Sequence, residues 1–192
     1  MCIRDRARTL GIAPDLSAAC QTIAEGYVRR IDVGQANDRF FFNVASLGLS
    51  VKITERLSGP IKRRWGILAY AWSALRAISR SRPFSATISA NGQEYHVKTL
   101  QIAVGNGRYY GGGMSIAWDA RIDDHRLDLY SLEIAHWWQI LPLLPALRAG
   151  RYATQRPVRS LSATEICITT RRSRHVNIDG ELATTTPVHV RV

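Results

Sequence analysis

The sequence predicts an α+β domain that is mainly β, a two-layer antiparallel β-sandwich with one long amphipathic helix. Short apolar runs of strand composition recur along the 192-residue chain and are separated by turn residues. Asn91-Gly92 lies between two of these runs, and this dipeptide is the strongest short-range signal of a hairpin. Successive hairpins indicate antiparallel pairing, and a hydrophobic content of 46% is enough to fill a core.

The first residues of the chain show no regular pattern. Met1–Arg6 combines Cys, Arg and Asp without an apolar period, so we interpret it as a sequence-assembly remnant without defined structure. From Pro14 onward the sequence has the period of a helix, with Asp15 or Ser17 as its N-cap and Gly26 at its end. We expect this helix to pack on one side only.

A hairpin is predicted next, with strands at Val28–Val33 and Arg39–Val44 and a turn at residues 35–38. The segment Asn43–Ser50 that follows is rich in small residues. It suits a close approach between its backbone and a ligand, but it also fits a buried strand with a bulge at Gly48. The local sequence leaves both interpretations open.

The clearest helix of the sequence begins at Pro60 and continues to Ile78. Its apolar residues recur at steps of three or four, and lysines and arginines occupy its other face. Such a helix can dock on its own sheet or lie on an anionic bilayer with its tryptophans at the boundary. Both interpretations stay open.

The second half of the chain is mainly strands and turns. Two prolines, Pro142 and Pro145, are expected to prevent a long regular helix between Trp137 and Leu147. Asp179-Gly180-Glu181 is predicted to form a tight acidic turn. The predicted strands are Phe84–Ser89, Tyr95–Val104, Leu127–Ile134, Ser160–Thr170, Arg174–Ile178 and Val188–Val192.

Composition limits the possible partners and the compartment. The formal net charge of +11 favours nucleic acid, a nucleotide or an anionic membrane face as partner, unless it is only a solvated basic surface. Cys2, Cys20 and Cys167 lack the number and spacing of a disulfide framework or a zinc site, so we expect a reducing cytoplasm. No run of about eighteen apolar residues predicts a transmembrane helix.

A glycine-rich stretch, Val104–Met114, reads Val-Gly-Asn-Gly-Arg-Tyr-Tyr-Gly-Gly-Gly-Met and follows a short apolar strand. Glycines let a backbone turn tightly or come close to a phosphate-bearing ligand. The residues alone allow either a ligand loop or an elaborate turn.

Carboxylates gather near three turns, at Asp119, at residues 123–128 and at residues 179–181. Oxygen-rich turns suit a hard cation such as magnesium or calcium, but a single aspartate at a turn is often only a turn former. His125 is a poor ligand for magnesium. Alone, it is typical of a surface residue at a position where glycine would fit the turn.

Four segments, in their order and spacing, closely resemble the C-terminal half of bacterial diacylglycerol-kinase-like lipid kinases. They are Phe42–Leu49, Val104–Met114, Ala117–Leu129 and Asn177–Glu181. The resemblance extends from about Ala7 onward. Even Asp5–Ile12 is similar to a family motif, Asn-Asp-Phe-Ala-Arg-Thr-Leu-Gly-Ile, with Arg4 and Arg6 in place of its Asn and Phe.

The resemblance implies the second domain of a two-domain enzyme that shares the fold of diacylglycerol and NAD kinases. The family transfers the γ-phosphoryl group of ATP to the hydroxyl of a diacylglycerol-type lipid and uses Mg²⁺. Residues 1–27 would then be a remnant of the nucleotide-binding domain with a connecting helix, and residues 28–192 the sandwich. We expect ATP to bind through the missing domain and the isolated chain to be inactive.

The implied partners are a lipid substrate and the anionic inner face of the membrane, with no nucleic acid and with a homodimer left open. Glu181 falls where the family has its proposed proton acceptor, and Asp179 is expected to assist the metal or orient that base. The accessory magnesium site matches Arg121–Arg126, through the side chain of Asp124 and the carbonyls of Arg121 and Arg126. The candidates for substrate or phosphate binding are Asn106, Gly107, Arg108, Gly111, Gly112 and Gly113.

Two alternatives stay open beside the lipid kinase. One is a non-catalytic sandwich that binds lipid or another anion, and the other is a related kinase acting on NAD or on sphingoid bases. The kinase hypothesis requires the acidic hairpin at Glu181 and the glycine-rich stretch to converge on one cleft. A binding module does not require this.

Overall fold

The computed structural model describes residues 3–13, 15–52, 79, 81–111, 113–151 and 157–192. Within them, the chain forms a β-sandwich of two six-stranded antiparallel sheets, as the sequence predicts. The helices are α1 (Ile3–Thr9), α2 (Leu16–Ala24) and α3 (Ile140–Ala149), with a 3₁₀ turn at Trp137–Gln139. The predicted amphipathic helix that begins at Pro60 lies outside the described residues.

The strands in chain order are β1 (Gly34–Ala36), β2 (Arg39–Phe41), β3 (Val44–Gly48), β4 (Phe84–Ala90), β5 (Gln93–Thr99), β6 (Gln101–Gly105), β7 (Tyr109–Tyr110), β8 (Met114–Ser115), β9 (Leu127–Leu132), β10 (Val158–Ala163), β11 (Glu165–Thr170), β12 (His175–Ile178), β13 (Glu181–Thr185) and β14 (Val188–Arg191). Sheet A has the order β2-β1-β14-β11-β4-β5. Sheet B has the order β10-β9-β6-β3-β12-β13, and β7 and β8 form a separate hairpin.

Two apolar clusters account for the burial pattern. The first fills the space between the sheets, with Ile88 and Ile166 from sheet A facing Ile102 and Leu129 from sheet B. In β4 the alternation is clean, because one face meets this core and the other is solvated. Strand β6 is buried along its whole length, since a second cluster that includes α3 covers the outer face of sheet B.

The hairpin at Asn91-Gly92 is confirmed, with φ of 53° and 73° at its two turn residues. Two predicted strands, however, are each two strands. The predicted strand Tyr95–Val104 divides at Leu100, where the chain passes from sheet A to sheet B, and Ser160–Thr170 divides at Thr164 in the reverse direction. The apolar run of the sequence continues through these corners, so it does not show them.

The predicted strand Val28–Val33 is wrong. Residues 27–33 pair with no strand and Val28 is 93% exposed. The hairpin forms instead between β1 and β2, which begins at Arg39 as predicted, around a turn with Asn37 at a φ of 53°. Gly34 fixes its position, because a Cβ atom there would lie 2.3 Å from the ring of Phe41.

The bulge at Gly48 is also wrong, because β3 and β6 pair in continuous register from Val44 to Gly48. Gly48 has a φ of 102°, and a Cβ atom there would lie 2.4 Å from the carbonyl oxygen of Leu100. The small residue therefore serves a close approach between two backbones.

The two N-terminal helices differ from expectation in two ways and agree with it in one. Residues 3–9 are helical, although no structure was expected before residue 7, and Thr9 Oγ1 donates to the carbonyl of Asp5 (3.0 Å). Asp15 caps α2 as predicted, by accepting from the amide of Ala18 at 2.9 Å. No residue of α2 is buried, so its expected packing face contacts nothing substantial in the described structure.

Pro142 and Pro145 do not prevent the ten-residue helix α3. Pro142 lies in the first turn, where its missing N–H group has no partner to lose, and Pro145 interrupts a single backbone bond. Gly150 ends the helix at a φ of 68°. None of the described helices is both long and apolar enough to cross a membrane.

Candidate functional site

Antiparallel pairing in sheet B brings the four family-like segments to one end of the sheet. Val44, the first residue of β3, pairs with Gly105, the last residue of β6. On the other side of β3, Ala45 pairs with Ile178, the last residue of β12. Asp128, near the start of β9, also pairs with Gly105. We call this end, formed by residues 42–44, 105–108, 122–128 and 178–181, the site edge.

Asp179 fastens the acidic hairpin to the start of β3. Its Oδ2 accepts from the amide of Phe42 at 2.9 Å, and its Oδ1 accepts from the amides of Asn43 and Val44 at 3.0 Å each. Its own amide donates to the carbonyl of Val44 at 3.0 Å. The residue has a φ of 49°, which aspartate tolerates better than most residues. Three N–H donors thus occupy most of the accepting capacity of this carboxylate.

Asn106 fastens the glycine-rich stretch to the same segment from the other side. Its amide donates to the carbonyl of Asn43 at 3.0 Å. Its Nδ2 donates to the carbonyl of Asp32 at 2.7 Å and, more weakly, to that of Phe42 at 3.4 Å. The side chain is fully buried. The acidic hairpin and the glycine-rich stretch therefore converge on residues 42–44.

Asp32 ties the acidic turn at residues 122–125 into this network, and sequence reasoning missed it. Its amide donates to the carbonyl of Ile122 at 2.8 Å, and its Oδ2 accepts from the amide of His125 at 2.7 Å. The imidazole Nδ1 of His125 lies 2.9 Å from Oδ1 of the buried Asp32 carboxylate. In the sequence, Asp32 is a single carboxylate between the apolar residues Ile31 and Val33, and this pattern does not indicate its distant partners.

His125 occupies a glycine-like position, as its place in the turn suggested. Its φ is 55°, and its side chain is 85% exposed. Its imidazole contacts the carboxylate of Asp32. A histidine at this glycine-like position therefore adds a contact to the turn.

The glycines of the central stretch mostly serve turning and close packing. Gly111 and Gly113 have φ of 57° and 106° in the loop that joins β7 to β8, and Gly112 lies outside the described residues. A Cβ atom at Gly107 would lie 3.0 Å from the side chain of Thr9 in α1. At these glycines the stretch is therefore an elaborate turn, which is one of the two interpretations that the sequence allowed.

Two arginines flank Tyr109 in the same stretch. The guanidinium carbons of Arg8 and Arg108 lie 5.4 Å and 5.3 Å from the centre of its ring. The backbone amide of Tyr109 donates to Oγ1 of Thr9 at 3.4 Å, so α1 lies against the glycine-rich stretch. The Nε of Arg108 is buried and forms no hydrogen bond within the described part of the chain. Arg108 therefore keeps a donor for a further acceptor.

The acidic turn carries both compensated and uncompensated charge. Hydrogen bonds from Arg29 and Arg121 lower the pKa of Asp123. Burial, together with the nearby carboxylates of Asp124 and Asp119, raises the pKa of Asp128 to about 6. Asp128 thus differs from Asp123, because burial and nearby carboxylates outweigh the opposing effects of Ser162 and Arg126 on its pKa.

A hard cation fits this turn only with backbone help. The residues that the structure describes contain no group of three His, Cys, Asp or Glu side chains able to hold a metal ion. Asp124 accepts from the amide of Arg126 at 3.1 Å through Oδ1, and its Oδ2 accepts no hydrogen bond from a described residue. One carboxylate oxygen with turn carbonyls and water is a ligand set that magnesium accepts. The residues are therefore compatible with a largely hydrated ion.

Glu181 lies at the site edge, at the start of β13, the edge strand of sheet B. It pairs with Ile178 across the hairpin. Its side chain is exposed, and it forms no hydrogen bond or ion pair with the residues described in the structure. Asp179 and Glu181 therefore differ sharply, because the first carboxylate is occupied by backbone donors and the second is not.

Comparisons with known proteins identify what the chain is similar to. A family model for the YegS C-terminal NAD kinase beta sandwich-like domain matches residues 43–192. The chain is 26% identical over 178 residues to the diacylglycerol kinase of Bacillus subtilis (strain 168), which covers 92% of this chain and 59% of that protein. It is 34% identical over 125 residues to a Pseudomonas aeruginosa protein named "Probable lipid kinase YegS-like". This alignment covers 65% of this chain and 41% of that protein.

The fold is also similar to solved structures. A crystal structure of a "putative diacylglycerol kinase" from Bacillus anthracis has a TM-score of 0.78 and 26% identity, over 97% of this chain and 61% of that one. The chain spans less than two thirds of the length of each of these relatives.

Proposed function

The chain belongs to the family of YegS C-terminal NAD kinase beta sandwich-like domains, and on that premise we propose that it is the sandwich part of a lipid kinase. The proposed reaction transfers the γ-phosphoryl group of ATP to the hydroxyl of a diacylglycerol-like lipid. Relatives named as diacylglycerol or lipid kinases support this reaction class. The observation that carries it here is the site edge, where Glu181 stays unpartnered among the described residues beside a segment held by Asp179 and Asn106.

Glu181 is the proposed general base. Its carboxylate takes the proton of the lipid hydroxyl as the hydroxyl oxygen attacks the γ-phosphorus of ATP. The new O–P bond forms while the bond between phosphorus and the bridging oxygen breaks, so ADP leaves with that electron pair. Phosphoryl transfer needs mainly positioning, charge neutralisation and a modest base, and a carboxylate free of other donors supplies the last of these.

Asp179 is proposed as a positioning residue. Its oxygens accept three backbone N–H groups, so it holds the Asp-Gly turn and places Glu181 relative to residues 42–44. A direct metal contact by Asp179 is not favoured, because it would have to compete with those donors. Of the two roles that the sequence left open for Asp179, we therefore propose the second, in which it orients the base.

Arg108 and Arg8 are the proposed phosphate contacts of the glycine-rich stretch. Both lie against Tyr109, and guanidinium groups suit phosphate oxygens. When bound at residues 121–126, Mg²⁺ would supply positive charge near the partly buried carboxylate of Asp128, with Asp124 and the carbonyls of Arg121 and Arg126 as its ligands. The relatives are longer than this chain, and we assign ATP binding to the part of such a protein outside it.

Transfer of labelled phosphate from ATP to dioctanoylglycerol in mixed micelles tests the proposal, with the full-length product of the gene. We expect Glu181→Gln to lower turnover at least about a hundredfold and to leave the circular dichroism spectrum unchanged. Glu165→Gln, at an exposed carboxylate on sheet A, is the matched control and should retain wild-type turnover.

Three results would contradict the proposal. Wild-type turnover by Glu181→Gln would remove the general-base role. Phosphorylation of NAD or sphingosine but not of diacylglycerol by the wild-type protein, in the same assay, would mean that diacylglycerol is not the acceptor. A protein that phosphorylates none of these acceptors would remove the kinase function.

A further inference from the structure

Helix α3 is apolar on both of its faces. Ile140, Leu143 and Leu147 are buried against the outer face of sheet B. Leu141 and Leu144, on the other face, are 55% and 43% exposed. A helix that only covers a sheet normally presents polar residues to solvent, so the outer face of α3 needs a separate explanation.

Two tryptophans extend this apolar surface at its ends. Trp138 precedes the helix and is 52% exposed, and Trp118 is 54% exposed. The amide of Trp118 donates to the carbonyl of Gly150 at 3.2 Å, so Trp118 lies beside the C-terminal end of α3. We call Trp118, Trp138, Leu141 and Leu144 the α3 surface. Several large apolar side chains exposed around one short helix are typical of an interaction site.

The α3 surface is adjacent to the site edge. A Cβ atom at Gly150 would lie 2.8 Å from both the hydroxyl of Ser115 in β8 and the backbone of Trp118. Strand β8 pairs with β7, which continues directly from Arg108 in the glycine-rich stretch. One short hairpin therefore separates the exposed apolar face from the residues proposed to contact phosphate.

The border of this surface along α3 is basic. The sequence has no acidic residue between Glu133 and Glu165, and Glu133 is paired with Arg159; at the other end, Asp119 beside Trp118 is an exposed carboxylate. Arg148 lies in the last turn of α3, and it and Arg151 are exposed. An apolar centre with tryptophans and a basic border is the composition of an element that lies in the interface of an anionic bilayer.

We propose that the α3 surface is the contact of this protein with an anionic lipid bilayer, and that it holds the site edge next to the lipid layer. The inference rests on the proposed function in one respect, because a diacylglycerol-like acceptor lies in such a layer. Charge disfavours two other occupants. The segment at residues 60–78 is itself basic, and so is a second copy of a chain with a net charge of +11.

Vesicle sedimentation tests the proposal with the 192-residue chain and with the full-length gene product. We expect binding to vesicles of phosphatidylcholine with phosphatidylglycerol, and much weaker binding to phosphatidylcholine alone. Replacing both leucines, Leu141→Glu with Leu144→Glu, should lower the bound-to-free ratio at least about tenfold. Leu141→Ser with Leu144→Ser should lower it as well, which separates lost apolar contact from added negative charge.

Ile23→Glu is the control, because it adds a carboxylate at an aliphatic residue of another helix that is even more exposed, at 80%; it should bind vesicles like the wild type. All variants should keep the wild-type melting temperature within a few degrees, since the altered side chains are on the surface. Wild-type vesicle binding by both leucine double variants would overturn the proposal. So would a concentration-dependent dimer that only these variants abolish, which would assign the surface to a second copy.

Failure of this inference and failure of the proposed function remain distinguishable. Sedimentation measures no phosphoryl transfer, so a chain that binds vesicles through α3 but phosphorylates no lipid would retain this surface and lose the kinase. With an active enzyme, the leucine variants should lose turnover on diacylglycerol in vesicles and keep it on monomeric dioctanoylglycerol. An equal loss on both substrates would contradict a role in membrane contact.

Discussion

Replacement of Asp179 by alanine separates positioning from chemistry at the site edge. The amides of Asn43 and Val44 are buried and would lose their acceptor, at a cost of about 1–3 kcal/mol each. The partly buried amide of Phe42 can recover a water. Alanine at a φ of 49° adds about 1 kcal/mol. We therefore expect the free energy of unfolding to fall by about 3–7 kcal/mol, a large part of the stability of a typical domain.

Urea unfolding followed by circular dichroism measures this change. Asp179→Asn keeps Oδ1 and thus two of the three accepted bonds, so it should cost about 1–2 kcal/mol. Asp38→Ala is the control, since that carboxylate lies in the β1–β2 turn with its side chain 80% exposed, and it should stay within about 0.5 kcal/mol of the wild type. An Asp179→Ala variant as stable as Asp38→Ala would refute the reasoning.

Three further changes test the turns and the core by the same measurement. His125→Gly should be about 1 kcal/mol more stable than His125→Ala, because only glycine adopts a φ of 55° without strain; equal values would mean that the turn relaxes. Burial raises the pKa of Asp128 to about 6 from 3.8, so in metal-free buffer the wild type should lose stability as the pH rises through this interval. Asp128→Asn should not, and it should gain up to about 3 kcal/mol over the wild type at pH 8 and nothing below pH 4. Tyr130→Phe removes the hydroxyl that meets the buried hydroxyl of Tyr110 and should cost about 1–2 kcal/mol; no cost would show that the pair contributes nothing.

The sandwich could be predicted because its hairpins are local. Asn91-Gly92 specifies a turn through its own backbone preferences, and the strands beside it alternate cleanly. The corners at Leu100 and Thr164 could not be predicted, since crossing from one sheet to the other changes which core a residue faces and leaves the apolar pattern intact. The shifted hairpin at Gly34 depends on its contact with Phe41, a packing detail that strand propensity does not contain.

The site could be predicted as four segments but not as a network. Their resemblance to lipid kinases named Glu181, Asp179 and Asn106, yet it did not show that two of these residues hold the same backbone. Asp32 was missed because its partners Asn106 and His125 are far away in the sequence. The exposed face of α3 could not be predicted, because Pro142 and Pro145 argued against a long regular helix in this segment.

A double-mutant cycle between Asp179→Asn and Asn106→Ala tests the central claim most directly. Both residues bind the backbone of residues 42–44 from opposite sides. Once one substitution has weakened the attachment of this segment, the second substitution should therefore lower the free energy of unfolding by less than it does alone. The account predicts that the two losses in unfolding free energy combine to at least about 0.5 kcal/mol less than their sum. Losses that add within about 0.3 kcal/mol would contradict it, since the two segments would then be independent.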